Sequence, residues 1–477
     1  MTQAQNNVST QVSAPTLHLY HYVLRNGINE SSETLNKRRE DFIKQLQEFI
    51  SPLTITNGKK AKEIIEFISR EDEPSEVGNI LNLNNIPPEC KPTNGVNYNL
   101  LYLDDGTVSR RLAASRLNDT YFLRFTNFIP SKFGLQPLER FGDFRNIKED
   151  LPIEIGQTVI LAGIIKESDY LKADILPLAA ECLNCYYGDK IKPDELIENE
   201  FLGSPFCIYK QPIPVKKLNE YIIESIRLSC VFIYKDEQTE AQANKIYGIF
   251  QDLLLSYHKI NFFYSQSLAL KKRLTQLYEE IERLTEKYHQ QKWNSESLKK
   301  LPQDSLEYYK KISFLEDQAR AIQVNSKNYQ ECLKQIEESV GQKPPKFFIE
   351  FEKTIKFYID QIQSNIGFLT PGIQLYDKLM LSIQTQVNID DAHIQKQQNQ
   401  RQAKLGQLLT GSGAAIAIGQ ILYEPIKTTV VQKLDRGQNQ ISVSSLWYSA
   451  GLTIFLSIFI GYFLSKFVYQ WFTKEKF

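Results

Sequence analysis

The sequence predicts an α+β protein with a mixed α/β domain over residues 16–235, a long antiparallel coiled-coil stalk over 236–404 and a C-terminal membrane hairpin. Three observations predict it. Up to residue 235, short β-branched and aromatic runs alternate with amphipathic segments. From 236 onward the apolar residues recur every 3.5 positions instead. Near the C-terminal end stand two stretches without charge, 405–423 and 445–465.

Residues 1–15 are polar, with neither a basic run nor an apolar one, which predicts a disordered lead-in and no secretory leader. Strands are expected at "LHLYHYVL" (17–24), "YNLLYL" (98–103), "TYFLRFTNF" (120–128), "TVILAGII" (158–165), "FCIYK" (206–210) and "RLSCVFIYK" (227–235). Helices are expected at 32–50, opened by Ser31 or Ser32, and at 61–70. "DDG" at 104–106 reads as a hairpin turn. No glycine-rich loop follows a strand, so a nucleotide-binding fold is not expected.

In the stalk a first seam runs through Leu253, Ser256, Ile260, Phe263, Ser267, Leu270, Leu274, Leu277, Ile281, Leu284 and Tyr288. After a proline-bearing break at "WNSESLKKLPQDS", a second runs through Ile312, Leu315, Ala319, Ile322, Ser326, Tyr329, Leu333, Ile336 and Val340. "GQKPPK" ends it, because glycine and two prolines do not continue a helix. The third seam holds Phe348, Phe351, Ile355, Tyr358, Ile362, Asn365 and Leu369, with a kink expected at Pro371. These seams predict helix packing rather than a binding surface.

The stretch 445–472 is long enough to cross a bilayer, and Trp447, Tyr448, Tyr469 and Trp471 suit its two interfaces. The weaker first span, 405–423, carries a small, mildly polar stripe of Gly406, Thr410, Gly413, Ala417 and Gln420 on an apolar body. Such a stripe serves close helix contact or, in a rival reading, lines a pore. Residues 424–444 are then the connecting loop. The N-terminal domain and the C-terminus would share the cytosolic side of a multi-pass membrane protein.

Composition narrows the function. Lysine plus arginine equals aspartate plus glutamate at 56 each, so no overall field draws the chain to nucleic acid. The cysteines show no disulfide rhythm, and the CxxC of Cys182 and Cys185 has no second ligand pair near it. Among the five histidines, His18 and His21 should point to opposite faces of a strand, and His258, His289 and His393 should be solvated. Arg110, Arg111 and Arg116 read as a solvated basic face. No catalytic, cofactor-binding or metal-ligating set emerges, and no cofactor and no enzymatic activity are expected.

A cytosolic α/β domain, a helical stalk and two closely spaced C-terminal spans resemble the CorA-like magnesium-transporter architecture. The likeness is one of layout. The Gly-Met-Asn signature that follows the first membrane helix in that family is absent, since the stretch here is "YEPIKTTVVQ" and the methionines are Met1 and Met380. The run "VNIDDAHIQKQQNQRQAKLGQLL" into a weak span also looks like uncharacterised two-span bacterial membrane proteins. The expectation is a homo-oligomeric tether or signal relay, with the lipid bilayer and an unidentified cytosolic partner or ligand as its partners. An ion-conducting or membrane-permeabilising effector is the alternative, and a membrane-anchored enzyme a weaker one.

Overall fold

A computed structural model describes residues 11–25, 32–50, 101–104, 107–117, 119–146, 153–165, 174–214, 224–290, 292 and 295–435, with six isolated helical positions between 455 and 467. Of the expected helices, 61–70 lies outside these residues. The protein is α+β, with an N-terminal sheet domain followed by a long helical region.

Nine strands form one sheet: β1 (Gln11–Leu24), β2 (Leu101–Asp104), β3 (Ser109–Leu117), β4 (Thr120–Phe128), β5 (Leu135–Pro137), β6 (Gly156–Ile165), β7 (Ile197–Phe201), β8 (Ser204–Pro214) and β9 (Glu224–Tyr234). The order is β2-β3-β4-β1-β6-β9-β8-β7, with β5 added on β1. All pairs are antiparallel except β6 with β9, which is parallel. That parallel pair requires a crossover, and helix α2 (Ile175–Tyr187) lies within it.

The expected lead-in needs correction, because β1 starts at Gln11 rather than after residue 15. Val12 is buried and pairs with both Gln136 and Ile165, so this stretch has an apolar site to occupy. A register shift between Ser13 and Thr16 bends the strand there, with Ala14 at φ 49° and the Thr16 hydroxyl donating to the Ala14 carbonyl at 3.1 Å.

Alternation sends the side chains of the central strands to two faces. One face carries Leu17, Leu19, Val23, Leu123, Val159, Leu161 and Val231, and it packs beneath α2 through Leu178, Ala179, Cys182, Leu183 and Tyr186. Helix α1 (Ser32–Ile50) adds Phe42, stacked on Tyr121 at 4.2 Å. The opposite face carries His18, Tyr20, Tyr22, Thr158 and Leu228, and helix α3 (Glu237–His289) covers it. Asp236 caps α3 by accepting from the Thr239 N–H at 2.7 Å.

Helix α3 serves two layers. Its first half buries Ala243, Ile246, Phe250, Leu253, Leu254, Tyr257, His258 and Ile260, and Tyr22 of β1 donates to the Gln251 carbonyl at 3.0 Å. Its second half buries Ser267, Leu274, Leu277 and Ile281. Against it lies α4 (Ser295–Val340), tied by a two-pronged Arg273–Glu307 ion pair at 2.8 and 2.9 Å. Seam positions Leu315, Ile322, Tyr329 and Ile336 are buried in α4, and Phe348, Ile355, Ile362 and Asn365 in α5 (Lys346–Leu369). The helices therefore pack as their seams predict, but α3 also packs along the sheet. A single compact unit runs from Met1 to Asp377 and holds both the sheet and the helices packed on it.

Two helix boundaries differ from expectation. Pro302 lies inside α4, so the break between α3 and α4 is shorter than its proline and polar residues suggest. At Pro371 the chain starts a new helix, α6 (Pro371–Asp435), where a kink was expected. Proline without an N–H suits a first helical turn, and the Leu369 carbonyl freed by the break accepts from the Tyr308 hydroxyl at 2.5 Å. Gly372 is required here, since a Cβ would overlap that hydroxyl.

The second unit, Lys378–Phe477, continues α6, and every residue from 387 to 406 is exposed. Helix extends to Asp435, which corrects the expected loop over 424–444 for residues 424–435. Apolar residues at 426, 430, 431 and 434 keep a helical rhythm beyond Pro425. Among the described residues no helix is long and apolar enough to cross a membrane.

Ile322, fully buried at the α4 seam, reports on the helical layer. Ile322→Ala is expected to lower stability by about 2–5 kcal/mol, read as a shift in the urea midpoint of the full chain. A shift below about 0.5 kcal/mol would mean that the seam is not packed.

Candidate functional site

Strands β7 and β8 form one edge of the sheet, and the N-terminus of α5 is anchored there. Asn199 of β7 is buried and accepts from the Phe347 N–H through Oδ1 at 2.8 Å, while its Nδ2 donates to the Ile197 carbonyl at 3.2 Å. Pro345 caps α5 without a side-chain bond, so Asn199 from the sheet takes over part of the capping. Between this anchor and α3 lies a cavity of about 320 Å³, within the range of small-molecule sites. Its lining comes from Ile197, Glu198, Asn199 and Lys210 of the sheet, Tyr257 of α3, and Lys346, Phe347, Glu350, Phe351 and Thr354 of α5.

Tyr257 is fully buried, its ring 4.5 Å from that of Phe351 and 5.9 Å from that of Phe347. Its hydroxyl has no hydrogen-bond partner among the described residues, an arrangement that costs about 1–3 kcal/mol. Lys210 shares its sheet face with Leu228, the face covered by α3. Its side chain reaches solvent at the cavity, yet desolvation holds its pKa below the ordinary lysine value. Its charge is also felt at His258, the residue after Tyr257.

The acidic residues are arranged differently. Glu198 lies opposite Cys207 and alternates with Asn199, so its carboxylate belongs to the other sheet face. In agreement, the Cys207 thiol is pushed up to about 12 by burial and, after that, by Glu198. Glu350 pairs with Lys346 one turn away at 3.7 Å, both exposed where α5 borders the cavity.

Behind the cavity sits His258. It is fully buried, its Nε2 is 2.6 Å from the Thr158 hydroxyl, and a Cβ at Gly156 would overlap its Nδ1. This overturns the expectation of a solvated position: α3 crosses the sheet so closely here that the imidazole fills the space left by a glycine. Burial lowers its pKa to about 3, with the Lys210 and His21 charges adding to the effect. His21 is likewise buried, on the opposite face, with neither ring nitrogen bonded among the described residues, and burial followed by the Arg227 charge lowers it to about 3. His18 does point away from His21, its ring 4.0 Å from that of Tyr247 on α3.

The sequence matches no family model and no curated protein. The chemistry of the site therefore rests on its geometry alone.

The membrane-directed residues lie elsewhere. Gly406 is exposed on α6, and a Cβ built there meets no neighbour. Thr410, Gly413, Ala417 and Gln420 fall on the same helix, their side chains outside the described residues. Trp447, Tyr448, Tyr469 and Trp471 lie outside the described residues altogether. Cys182 and Cys185 share α2, the first buried and the second half-buried, and burial raises both thiols. Among the described residues no group of His, Cys, Asp and Glu could hold a metal ion. Arg110, Arg111 and Arg116 belong to strand β3.

The cavity was missed in the sequence because its parts come from 197–210, 257 and 346–354, with no common motif. Only "KPPK", placing prolines before a phenylalanine-rich helix start, marked one wall.

Both buried histidines make stability depend on pH. Their folded values, about 3, lie below the ordinary 6.5, so the unfolded chain binds more protons between these limits. Their contribution is complete above pH 6.5 and is lost as pH falls toward 3. From pH 6 to pH 5 the unfolding free energy should drop by roughly 2 kcal/mol for the two. His21→Leu should weaken that dependence in urea titrations at successive pH values; an unchanged slope would show that His21 is protonated or solvated in the folded chain.

Proposed function

We propose that the protein is a membrane-attached relay, in which occupancy of the cavity between sheet and helices is communicated along α5 and α6 to an apolar C-terminal hairpin. One observation carries this reading. The first turn of α5 forms a cavity wall, and at its other end only Thr370 separates α5 from α6, which runs on through the Gly406–Gln420 stripe. Tyr329 of α4 holds the Phe348 carbonyl at 2.7 Å, so a shift of that first turn would be felt in the helical layer as well.

In this reading the stretch 445–472, with Trp447 and Tyr448 at one end and Tyr469 and Trp471 at the other, is the stronger span. The stretch 405–423 is its partner, and the described part of α6 continues past it to Asp435. The small-residue stripe supports close contact within the hairpin or between copies in a homo-oligomer. The sheet domain and Phe477 would then lie on the same, cytosolic side. A relay needs no catalytic residues, and its work is done by binding and by helix movement.

The test is extraction of membranes from cells expressing the full chain. The chain should stay with the membrane in alkaline carbonate, and removal of 445–472 should release most of it. Recovery of the intact chain in the carbonate supernatant would contradict membrane attachment by these segments.

A further inference from the structure

We propose that the joint between α5 and α6 is a two-state hinge, in which the Tyr308 hydroxyl of α4 and the Ile373 N–H of α6 compete for the carbonyl of Leu369. The hinge rests on the relay reading for its use, as the step that turns a shift of α5 into a new direction of α6. Its two positions can be measured whether or not the chain enters a membrane.

Proline creates the choice. Pro371 has no N–H for the Gly367 carbonyl one turn earlier, so the ladder of i to i−4 bonds breaks there. The chain stays helical across the break: Thr370 has φ −53° and ψ −38°, and its N–H donates to the Ile366 carbonyl at 2.9 Å. Beyond it the Ile373 N–H donates to Thr370 at 3.0 Å, three residues back, instead of to Leu369, four back. The Leu369 carbonyl accepts from Tyr308 at 2.5 Å in its place. A slip of the Ile373 N–H by one residue would restore the α-helical bond at Leu369 and straighten the joint.

Tyrosines of α4 hold α5 at both ends. Tyr329 donates to the Phe348 carbonyl at 2.7 Å beside the cavity, and Tyr308 to the Leu369 carbonyl at the far end of the same helix. A packed helix of 24 residues moves as a rod, so displacing its first turn along its axis draws Leu369 away from the Tyr308 hydroxyl. That hydroxyl has little room to follow. Tyr308 is fully buried, its ring 5.4 Å from that of Tyr376, and Gly372 lies so close that a Cβ there would overlap the hydroxyl. Two further bonds seat the first turns of α6, from Tyr376 to the Leu277 carbonyl at 3.2 Å and from Tyr309 to the Asp377 carboxylate at 2.7 Å. Leu369 has a donor in either state, whereas release leaves the Tyr308 hydroxyl unpaired, so the latched state is the resting one.

Nitroxides attached through p-acetylphenylalanine at the exposed positions Glu286 of α3 and Gln395 of α6 report the hinge in the purified full chain, by double electron–electron resonance. A turn of about 20° at Pro371, carried along roughly 36 Å of helix, moves residue 395 by about 12 Å. The parent chain should show one dominant distance. Tyr308→Phe keeps the ring packing and removes only the latch, so it should move a large part of the population to a second distance. Pro371→Ala returns the N–H that the Gly367 carbonyl lacks, and it should move most of the population to that same second distance. An unchanged distribution in Tyr308→Phe would overturn the hinge, as would a new distance in that variant that Pro371→Ala does not share.

Discussion

The close crossing of α3 over the sheet at Gly156 and His258 is the constraint on which the other layers depend. A glycine at the start of β6 lets the imidazole descend to the backbone, and its Nε2 lies 2.6 Å from the Thr158 hydroxyl two residues on. This sets the height and the rotation of α3, so Tyr257 on the preceding position turns toward Phe347, Phe348 and Phe351 of α5. The same helix, continuing past Ser267, offers Leu274, Leu277 and Ile281 to the helical layer, and Tyr376 of α6 donates to its Leu277 carbonyl at 3.2 Å. An ion pair of buried Lys259 with half-buried Asp119 fixes α3 from the β3–β4 turn. One helix thus carries the position of the sheet into the packing of the other three.

The cavity follows from that arrangement. Aromatic side chains fill most of the space between β8, α3 and α5, with Phe206, Phe250 and Phe348 meeting edge to face or tilted. At the sheet edge the filling stops, because β7 is short and Asn199 holds the first turn of α5 by its backbone instead of packing a side chain there. The cavity opens there, beside the buried Tyr257 and the exposed Lys210.

How much of this could be read in the sequence depended on whether a local period carried it. The helical seams were legible because a buried stripe repeats every 3.5 residues, and Leu253, Leu277, Ile322, Tyr329 and Ile362 are all buried where the rhythm puts them. Strand β4 was legible to the residue, and β6 and β9 to within three residues at their ends, from continuous β-branched and aromatic runs. Strand β3 was not, since "SRRLAASRL" has no strand-forming run and is held by pairing with β2 and β4 on either side. β5, three residues long, and β7 were equally silent. His258 looked like a surface residue on a polar helix position; its burial comes from Gly156, about a hundred positions earlier, and no periodicity links the two. The cavity is non-local in the same way.

Hydrogen exchange by mass spectrometry on the full chain carrying Gly156→Ala measures that dependence most directly. The added methyl must displace His258, and α3 with it. If α3 transmits the position of the sheet, exchange should accelerate not only in β6 and β9 but also in peptides covering 274–281 of α3 and 312–336 of α4, by comparable factors. Acceleration confined to the strands around Gly156, with 274–281 and 312–336 protected as in the parent chain, would contradict it.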